Sequence, residues 1–295
     1  MDISLVGSIN IDLVYRVPYI VNKGETLHSA SNSVHFGGKG ANQAATASQL
    51  GANVYLIGKI GKDDFGEQAI NNLKNKGVNV DSIRKEGATG QAIIQVTDDG
   101  DNAIILFSGA NFLVTPKQIE QEADIITSSD VLLLQLEIPL DAVEKAVDIA
   151  SQHGKIIILN PAPSHELPDS LLKNITFLTP NETELAQLTG IETTTKEDIR
   201  SACRLLLDKG VGTIVVTLGS RGSFYMNHGE SGWVQALSVD AIDTTGAGDA
   251  FNGALAVALC RRESLRNSIV FATKVAAFVV TQMGAQPFIP DSFLE

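Results

Sequence analysis

Short apolar runs that each end in polar residues recur through the second half of the chain. There are four of them: Leu132 to Glu137, Ile156 to Pro161, Ile175 to Glu182 and Thr213 to Ser220. Near-continuous apolar runs of this length are typical of parallel strands that helices cover on both faces. Segments with a helical pattern separate them, namely Leu140 to Gln152, Glu182 to Thr189 and Lys196 to Lys209. The pattern predicts an α/β fold with a doubly wound, mostly parallel sheet flanked by helices.

The polar residues that follow these runs are the first candidates for a binding site. In doubly wound sheets, ligands bind outside the carboxyl ends of the strands. The residues predicted at those ends are Glu137, Asn160, Asn181, Thr217 and Gly219.

Two other segments, about 13–36 and 87–111, show β-branched and aromatic residues alternating with polar and turn residues. Within the second, Gln91 to Val96 and Asn102 to Phe107 flank a turn that contains glycine, which predicts a hairpin. A small antiparallel sheet is marginal alone. We therefore expect one α/β domain over residues 1–295, with both segments inserted in it as a β-sheet lid that packs on the main sheet or on a second subunit.

Composition narrows the class of protein. The 295 residues are 44% hydrophobic and 19% charged, as in globular proteins, and the net charge of −12 argues against nucleic acid or an anionic membrane as a partner. We expect Cys203 and Cys260 to be buried reduced thiols. No segment reaches transmembrane length and no basic region precedes the first apolar residues, so we expect a cytoplasmic protein.

The segment Asp243-Thr244-Thr245-Gly246-Ala247-Gly248-Asp249 precedes an apolar helix predicted at Ala250 to Cys260. Small residues at a helix start let a ligand approach free N–H groups, and the helix dipole favours an anion there. A phosphoryl group in transfer is such an anion, and Asp249 could take the proton from an attacking hydroxyl. The alternative is an Asp that the dipole alone favours in a first helical turn. The segment by itself leaves both interpretations open.

A second glycine-rich helix entry spans His35-Phe36-Gly37-Gly38-Lys39-Gly40-Ala41-Asn42-Gln43. It is not a Walker loop, because no Gly-Lys pair is followed by Ser or Thr, and it lacks the third glycine of a dinucleotide fingerprint. The functional interpretation is a backbone that approaches a polyol, with Lys39 and Asn42 as donors. The alternative is a plain helix entry with a solvated lysine.

Further polar residues follow other predicted strands. Asn10 and Asp12 come after the strand Ile3 to Val6, and an amide beside a carboxylate suits two adjacent hydroxyls. Glu137 is either a third ligand of the same sugar or an exposed loop carboxylate. Asn181 and Glu184 form a capping-box pattern, or else face phosphates and the waters around a Mg²⁺ ion. The loop 217–222 either wraps nucleotide phosphates or is a hairpin turn.

Six segments together resemble the ribokinase, or PfkB, family of sugar kinases, and the resemblance covers nearly the whole chain. The segments are Gly-Ser-Ile-Asn-Ile-Asp at 7–12, Phe-Gly-Gly-Lys-Gly-Ala-Asn at 36–42, Asn-Pro-Ala-Pro at 160–163, Thr-Pro-Asn-Glu-Thr-Glu at 179–184, Thr-Leu-Gly-Ser-Arg-Gly at 217–222 and Asp-Thr-Thr-Gly-Ala-Gly-Asp at 243–249. Six matches in order are far more specific than any one of them, and they favour the functional interpretation at each segment.

The resemblance implies phosphorylation of D-ribose at O5 by ATP, with Asp249 as general base and the amides of Gly246, Ala247 and Gly248 as anion hole. It also implies a sugar held between core and lid, and a homodimer formed through the lid. The sugar-binding positions that it implies are Asn10, Asp12, Gly38, Lys39, Gly40, Ala41, Asn42 and Glu137. The ATP-binding positions are Asn181, Thr217, Leu218, Gly219, Ser220, Arg221, Gly222, Gly248 and Thr273.

The family resemblance further implies two metal ions. Glu184 matches a residue linked to Mg²⁺ through water. A potassium ion beside the anion hole is held in the family by oxygens at positions that correspond to Asp243, Thr245, Val279, Gln282 and Gly284. The chain departs from the family at Phe288, where members often offer a serine hydroxyl to the potassium ion, because a phenyl ring has no oxygen to offer.

Three alternatives remain at this stage. The chain could be a kinase for another small sugar or for a nucleoside, although the sparse aromatic residues of the lid argue against a base pocket. It could be a non-catalytic sugar-binding protein. A nicotinamide oxidoreductase is disfavoured, because the dinucleotide fingerprint is missing.

Overall fold

The computed structural model describes residues 1–294. In that range there are thirteen strands: β1 (Asp2–Val6), β2 (Asn10–Arg16), β3 (Ser31–Gly37), β4 (Asn53–Ile60), β5 (Ile83–Lys85), β6 (Gly90–Val96), β7 (Asn102–Phe107), β8 (Val131–Leu134), β9 (Ile156–Leu159), β10 (Phe177–Leu178), β11 (Thr213–Thr217), β12 (Ser223–Asn227) and β13 (Ser231–Val234). The same range contains ten α-helices: α1 (Lys39–Gln49), α2 (Asp64–Asn75), α3 (Pro116–Gln121), α4 (Ala123–Ser128), α5 (Leu140–Gln152), α6 (Asp169–Leu172), α7 (Glu182–Thr189), α8 (Lys196–Asp208), α9 (Ala247–Cys260) and α10 (Leu265–Val279). Short 3₁₀ helices lie at Gly109–Leu113, Gly219–Arg221 and Asp291–Phe293.

Nine strands form the large sheet, in the order β13-β12-β11-β10-β9-β8-β1-β4-β5. All pairings from β11 to β5 are parallel, while β12 and β13 are antiparallel. The four apolar runs of the sequence supply β8 to β11, so the predicted doubly wound, mostly parallel sheet is confirmed.

Helices cover both faces of the large sheet, which explains why its strands are apolar throughout. In β8, Val131 and Leu133 pack on the side of α1, α9 and α10, whereas Leu132 and Leu134 pack on the side of α5 and α8. Because successive side chains of a strand point to opposite faces, a strand buried on both sides needs apolar residues at every position.

A smaller sheet has the order β3-β2-β6-β7. Its outer pairings, β2 with β3 and β6 with β7, are antiparallel as expected, but the middle pair of β2 and β6 is parallel. The reason lies in the connections: β2 follows β1 and β6 follows β5, and these two strands of the large sheet run the same way. Both chain segments therefore leave the large sheet at the same edge and enter the small one in the same direction.

The structure also shows how far the two cysteines are buried and how long and apolar the helices are. Cys203 is buried and Cys260 is half-buried, and burial raises the pKa of each thiol to about 12. Within residues 1–294, none of the helices combines the length and the apolar character that crossing a membrane requires.

Candidate active site

Loops at the carboxyl edge of the large sheet meet the start of α1. Ala41 N donates to Ser8 O at 2.9 Å, which docks α1 on the loop after β1. The carboxylate of Glu137, after β8, accepts from Ser8 Oγ at 2.5 Å and from Lys39 N at 3.1 Å through the same oxygen, Oε2. Glu137 is therefore held at the positive end of the helix, where a negative charge is favourable.

Two glycines make this close approach possible. Gly38 has φ +88°, and a Cβ on it would lie 2.6 Å from Asn10 N. A Cβ on Gly40 would lie 2.6 Å from Ser8 N. The glycine-rich entry thus allows α1 to pack directly on the backbone that leads into β2, which brings Asn10 and Asp12 beside Lys39.

Asp249 lies at the start of α9 and is buried. Asn42 Nδ2 donates to its Oδ2 at 2.8 Å, and Gln43 Nε2 donates to its Oδ1 at 3.0 Å. Burial, the largest influence, raises the pKa of this carboxyl, while the charge of Lys39 and the two amide donors oppose the rise. A buried carboxylate whose pKa is raised above its usual value suits a general base.

A chain of buried amides fixes the donor that faces Asp249. Gln135 Nε2 donates to Gln43 Oε1 at 2.6 Å, so the nitrogen of Gln43 must point the other way. That nitrogen also donates to Asn160 Oδ1 at 3.3 Å, and Asn160 Nδ2 donates to Thr179 O at 3.1 Å. Because a backbone carbonyl can only accept, it sets the orientation of Asn160 and thereby supports that of Gln43.

Lys39 has carboxylates on several sides. Burial alone would lower the pKa of its ammonium group, but the charges of four carboxylates outweigh this and raise the pKa above its usual value. In order of influence they are Asp249, Glu137, Glu184 and Asp12. Two of the predicted sugar-binding residues, the predicted base and the predicted magnesium-linked glutamate therefore lie within electrostatic reach of one cation.

Asp12 lies in surroundings that strongly raise the pKa of its carboxyl group. Burial, and then the charges of Glu137 and Asp249, raise its pKa to about 6, while Lys39 opposes them. A Cβ on Gly37 would collide with this carboxylate, so the neighbouring strand is built to leave room for it. Asp12 is consequently a buried carboxylate with close neighbours that could accept a hydrogen bond from the hydroxyl of a bound sugar.

The start of α9 has the features of an anion site. Gly246 has φ +77°, and a Cβ on it would lie 2.8 Å from Ala285. Ala247 N donates to Thr244 O at 3.3 Å, whereas within residues 1–294 no acceptor is paired with the N–H groups of Gly246 and Gly248. A Cβ on Gly248 would meet no atom within 4 Å, so this backbone borders open space. The helix begins three residues before the predicted Ala250, which places these amides in its first turn.

A cavity of about 470 Å³ adjoins the start of α9. Its volume suits a nucleotide base and ribose. Six of the predicted ATP-binding residues line it: Thr217, Gly219, Ser220, Gly222, Gly248 and Thr273. The hydroxyl of Thr273 donates to Ile269 O of its own helix at 2.8 Å, so its donor is already committed.

Two residues of the predicted nucleotide loop face elsewhere. Leu218 packs in the core, and the side chain of Arg221 pairs with Glu182. The loop is also the connection between the antiparallel strands β11 and β12, so the hairpin interpretation holds for its backbone while part of it borders the cavity.

Asn181 and Glu184 form a capping box at the start of α7, with both hydrogen bonds at 2.8 Å. The capping interpretation of this pair is therefore correct for the backbone. Burial raises the pKa of Glu184, an effect that the hydrogen bond from Asn181 and the charge of Lys39 oppose. The cap uses Oε2 and leaves Oε1 for other contacts, which fits a carboxylate that touches one water of a Mg²⁺ ion.

Asp243 ties together the two loops that carry the predicted potassium ligands. Thr245 N donates to its Oδ1 and Gly284 N to its Oδ2, each at 2.9 Å. Burial would raise the pKa of this carboxyl, but these hydrogen bonds and His35 outweigh burial and lower it, so the group carries a charge that a monovalent cation can balance. Phe288 is 72% exposed and points to solvent, so its ring does not occupy this loop.

Several site residues were not predicted from sequence. Asn111, in a 3₁₀ helix, accepts from Ile9 N at 2.9 Å and donates to Asn10 Oδ1 at 2.7 Å, which fixes how Asn10 faces the site. Gln43 lies inside a recognised motif, where its position beside Asn42 was the only available signal. Gln135 gave no signal, because it stands in a strand-like apolar run.

Comparisons with known proteins agree with this geometry. The family model described as pfkB family carbohydrate kinase matches residues 1–292. The ribokinase of Haemophilus influenzae is 42% identical over 290 residues, which are 98% of this chain and 95% of the relative. The deoxyribokinase of Salmonella typhi is 38% identical over 294 residues, 99% of this chain and 96% of the relative.

Among solved structures, Arabidopsis thaliana ribokinase complexed with ribose and ATP is similar to this chain with a TM-score of 0.94 and 34% identity. The similarity covers 99% of this chain and 96% of the plant protein.

Proposed function

The chain belongs to the pfkB family of carbohydrate kinases, and on that premise we propose that it transfers the γ-phosphate of ATP to the 5-hydroxyl of D-ribose. One observation carries the proposal. The Asp249 carboxylate accepts hydrogen bonds from two side-chain amides of α1 and lies at the start of α9, where free N–H groups border the cavity. Asp249 and Asp12 both act electrostatically on Lys39. The site thus offers a sugar end, a phosphate end and a base between them.

At the sugar end, the site offers both hydrogen-bond acceptors and hydrogen-bond donors to the hydroxyls of a sugar. Asp12 and Glu137 are carboxylate acceptors, while Lys39 and Asn42 carry N–H donors. Asn10, oriented by Asn111, adds an amide. The backbone of Gly38, Gly40 and Ala41 permits the close approach that a polyol needs.

At the reacting centre, Asp249 takes the proton of the 5-hydroxyl as that oxygen attacks the γ-phosphorus. The bond between the γ-phosphorus and the bridging oxygen breaks, and ADP leaves with the electron pair. The free N–H groups of Gly246 and Gly248, with Lys39, stabilise the charge that develops on the transferring group, and Ala247 N adds to them once it leaves Thr244 O. Positioning and charge stabilisation do most of the chemical work in such a transfer.

Two cations complete the proposal. Mg²⁺ would supply neutralisation of the β- and γ-phosphates, with Glu184 holding one of its waters. Potassium would be held near the loops that Asp243 joins, by oxygens of Asp243, Thr245, Val279, Gln282 and Gly284. The residues fit such an ion, because Asp243 holds both loops and stays ionised.

At the nucleotide end, the cavity residues named above hold the base and ribose. Asn181 and the turn 217–222 lie toward the phosphates. Leu218 contributes only through its backbone, because its side chain is in the core, and Arg221 is engaged with Glu182.

The small sheet acts in this proposal as a lid and as the contact of a homodimer. Asp12, Ala92 and Leu106 are in register across β2, β6 and β7, so they share the face that carries the sugar residues. The opposite face carries a row of four apolar side chains, also in register. They are Val34, Leu13, Ile93 and Ile105. Val34 and Ile105 are 47% and 63% exposed, and an exposed apolar face on a sheet with an open edge favours association.

A second sugar is favoured by one specific observation, the similarity to the deoxyribokinase of Salmonella typhi over nearly the full length. The sugar is identified by measuring ADP release with ribose, 2-deoxyribose, fructose and nucleosides, with and without potassium. The proposal predicts the highest kcat/KM for ribose and stimulation by potassium. A higher kcat/KM for 2-deoxyribose than for ribose would make deoxyribose the preferred substrate. If none of the tested sugars and nucleosides were phosphorylated, the proposed kinase activity would be contradicted.

A further inference from the structure

The amide of Asn42 stands between Asp249 and a residue outside the site described so far. Its Nδ2 donates to Asp249 Oδ2 at 2.8 Å, and its Oδ1 accepts from Gln286 Nε2 at 2.9 Å. Gln286 follows α10, in the loop that continues from the predicted potassium ligands. The family motifs of the sequence do not include it.

The hydrogen-bond chain continues to helix α2. Asn72 Nδ2 donates to Gln286 Oε1 at 2.7 Å. Each amide in the series of Asn72, Gln286 and Asn42 thus donates through its nitrogen to the next group, and an ionised Asp249 at the end can only accept. If one amide rotated by 180°, its nitrogen would face a nitrogen on one side and its oxygen would face an oxygen on the other. The neighbouring amides would have to rotate as well to restore the hydrogen bonds.

The loop that carries Gln286 is held by bonds that do not involve its side chain. Lys76 Nζ donates to Gln286 O at 2.9 Å and to Pro287 O at 3.3 Å, and Gln49 Nε2 donates to Pro287 O at 3.1 Å. The residue before it, Ala285, packs against Gly246 of the anion hole. The backbone is therefore fixed independently, so a change in the side chain of Gln286 can be tested without releasing the loop.

We infer that Gln286 is a positioning residue that keeps the donor of Asn42 directed at Asp249, and that Asn72 sets the orientation of Gln286. The inference rests on the proposed function of Asp249 as base. With Asn42 in the observed orientation, an N–H stabilises the carboxylate. If the Asn42 amide is rotated by 180°, its oxygen faces the Asp249 carboxylate and repels its negative charge, so ionisation of Asp249 is disfavoured.

The first test is Gln286→Glu, which keeps the size of the side chain. Its carboxylate cannot donate to Asn42 Oδ1, so Asn42 turns its nitrogen toward residue 286 and its oxygen toward Asp249. We expect the acid limb of the kcat/KM profile to move up by about one pH unit, with roughly tenfold lower activity on that limb and recovery at higher pH. Gln286→Met removes the donor without imposing the reverse orientation, so it should move the limb less.

The second test acts from a distance and remains decisive if Gln286→Glu does not fold. Asn72→Asp makes residue 72 a pure acceptor, so Gln286 turns its nitrogen toward it, and Asn42 turns in consequence. We expect the same upward movement of the acid limb. In the Gln286→Met background Asn72→Asp should have no further effect, because the link is absent. Asn75→Asp places the same charge on an exposed residue of α2 and should leave the profile unchanged.

The outcomes separate the inference from the function on which it rests. Unmodified enzyme without sugar-dependent ADP release would remove the proposed function itself. Active unmodified enzyme with an acid limb that stays in place in both Gln286→Glu and Asn72→Asp would overturn the inference. An Asn72→Asp effect that persists at full size beside Gln286→Met would also overturn it, since it would be an effect of charge alone.

Discussion

Gln43 donates a hydrogen bond to Asp249 at 3.0 Å, although 206 residues separate them along the chain. The bond joins the start of α1 to the start of α9. These helices approach closely because Gly253 has no side chain, since a Cβ there would lie 2.7 Å from Gln43 O. The place of the proposed base therefore depends on how two helices from opposite ends of the sequence pack on each other.

Asp12 should give sugar binding a dependence on pH. Its pKa of about 6 means that it becomes protonated as the pH falls below that value, and a protonated carboxyl accepts fewer hydroxyl hydrogen bonds. We expect KM for ribose to rise below pH 6. Asp12→Asn should have a high KM that no longer changes there, whereas Asp101→Asn, an exposed change in the lid turn, should behave like the unmodified protein.

The same carboxyl should reduce the stability of the free protein at neutral pH. Its pKa is higher in the folded than in the unfolded state, so the folded state binds more protons between about pH 4 and pH 6, and stability falls as the pH rises through that window. Asp12→Asn should raise the free energy of unfolding above pH 6 by roughly 1 to 3 kcal/mol. Urea unfolding at pH 4 and pH 8 measures this. An equal effect at both values would contradict the assignment.

Gly38 should tolerate no side chain, because it combines a positive φ with close neighbours on the chain before β2. Gly24 is the matched control, with φ +83° and no atom within 4 Å of an added Cβ. Gly24→Ala should cost about 1 kcal/mol of unfolding free energy and leave kcat/KM unchanged. Gly38→Ala should cost about 2 to 4 kcal/mol and lose sugar affinity. Equal costs at the two positions would show that the close packing of α1 is unimportant.

Gly248→Ala should separate stability from activity. Its φ is ordinary and an added Cβ meets no protein atom, so the helix should be stabilised by about 0.5 kcal/mol. The methyl group enters the space before the proposed anion hole, and kcat should fall by roughly a hundredfold. Gly229→Ala, in a turn with room for a methyl, should change neither value. Full activity of Gly248→Ala would place the phosphate elsewhere.

The apolar row of the lid should determine the oligomeric state. Ile105→Glu puts a charge at the β7 end of this row, on its most exposed side chain, and should convert a dimer to a monomer in sedimentation equilibrium. Phe288→Glu changes a similarly exposed apolar residue outside the lid and should leave the mass unchanged. If the unmodified protein is already a monomer, or if Ile105→Glu still dimerises, the lid is not the contact.

Local patterns predicted the elements well where the periodicity was strong. The bounds expected for α5 and α7 match the structure, and both strands of the second lid segment were predicted within one residue. These elements follow from neighbours in sequence. The parallel pairing of β2 with β6 does not, because it depends on where each segment leaves the large sheet.

The site was predictable to the extent that its residues stand in motifs. Asn10, Asp12, Lys39, Asn42 and Asp249 were all expected. In the structure the charges of Asp12 and Asp249 act on Lys39, and Asn42 donates a hydrogen bond to Asp249. The supporting amides were not, because a buried glutamine in an apolar run such as Gln135 shows no local pattern that names its partner. Gln286 and Asn72 likewise meet only after α2 and the last loop have packed on α1.

The most direct test of the account is the rate of phosphoryl transfer in Asp249→Asn, measured in a single turnover with ATP and ribose at saturation. If Asp249 removes the proton of the attacking hydroxyl, the rate should fall by at least about a hundredfold, with the affinities for both ligands changed far less. A transfer rate within about threefold of the unmodified enzyme would contradict its role as the base.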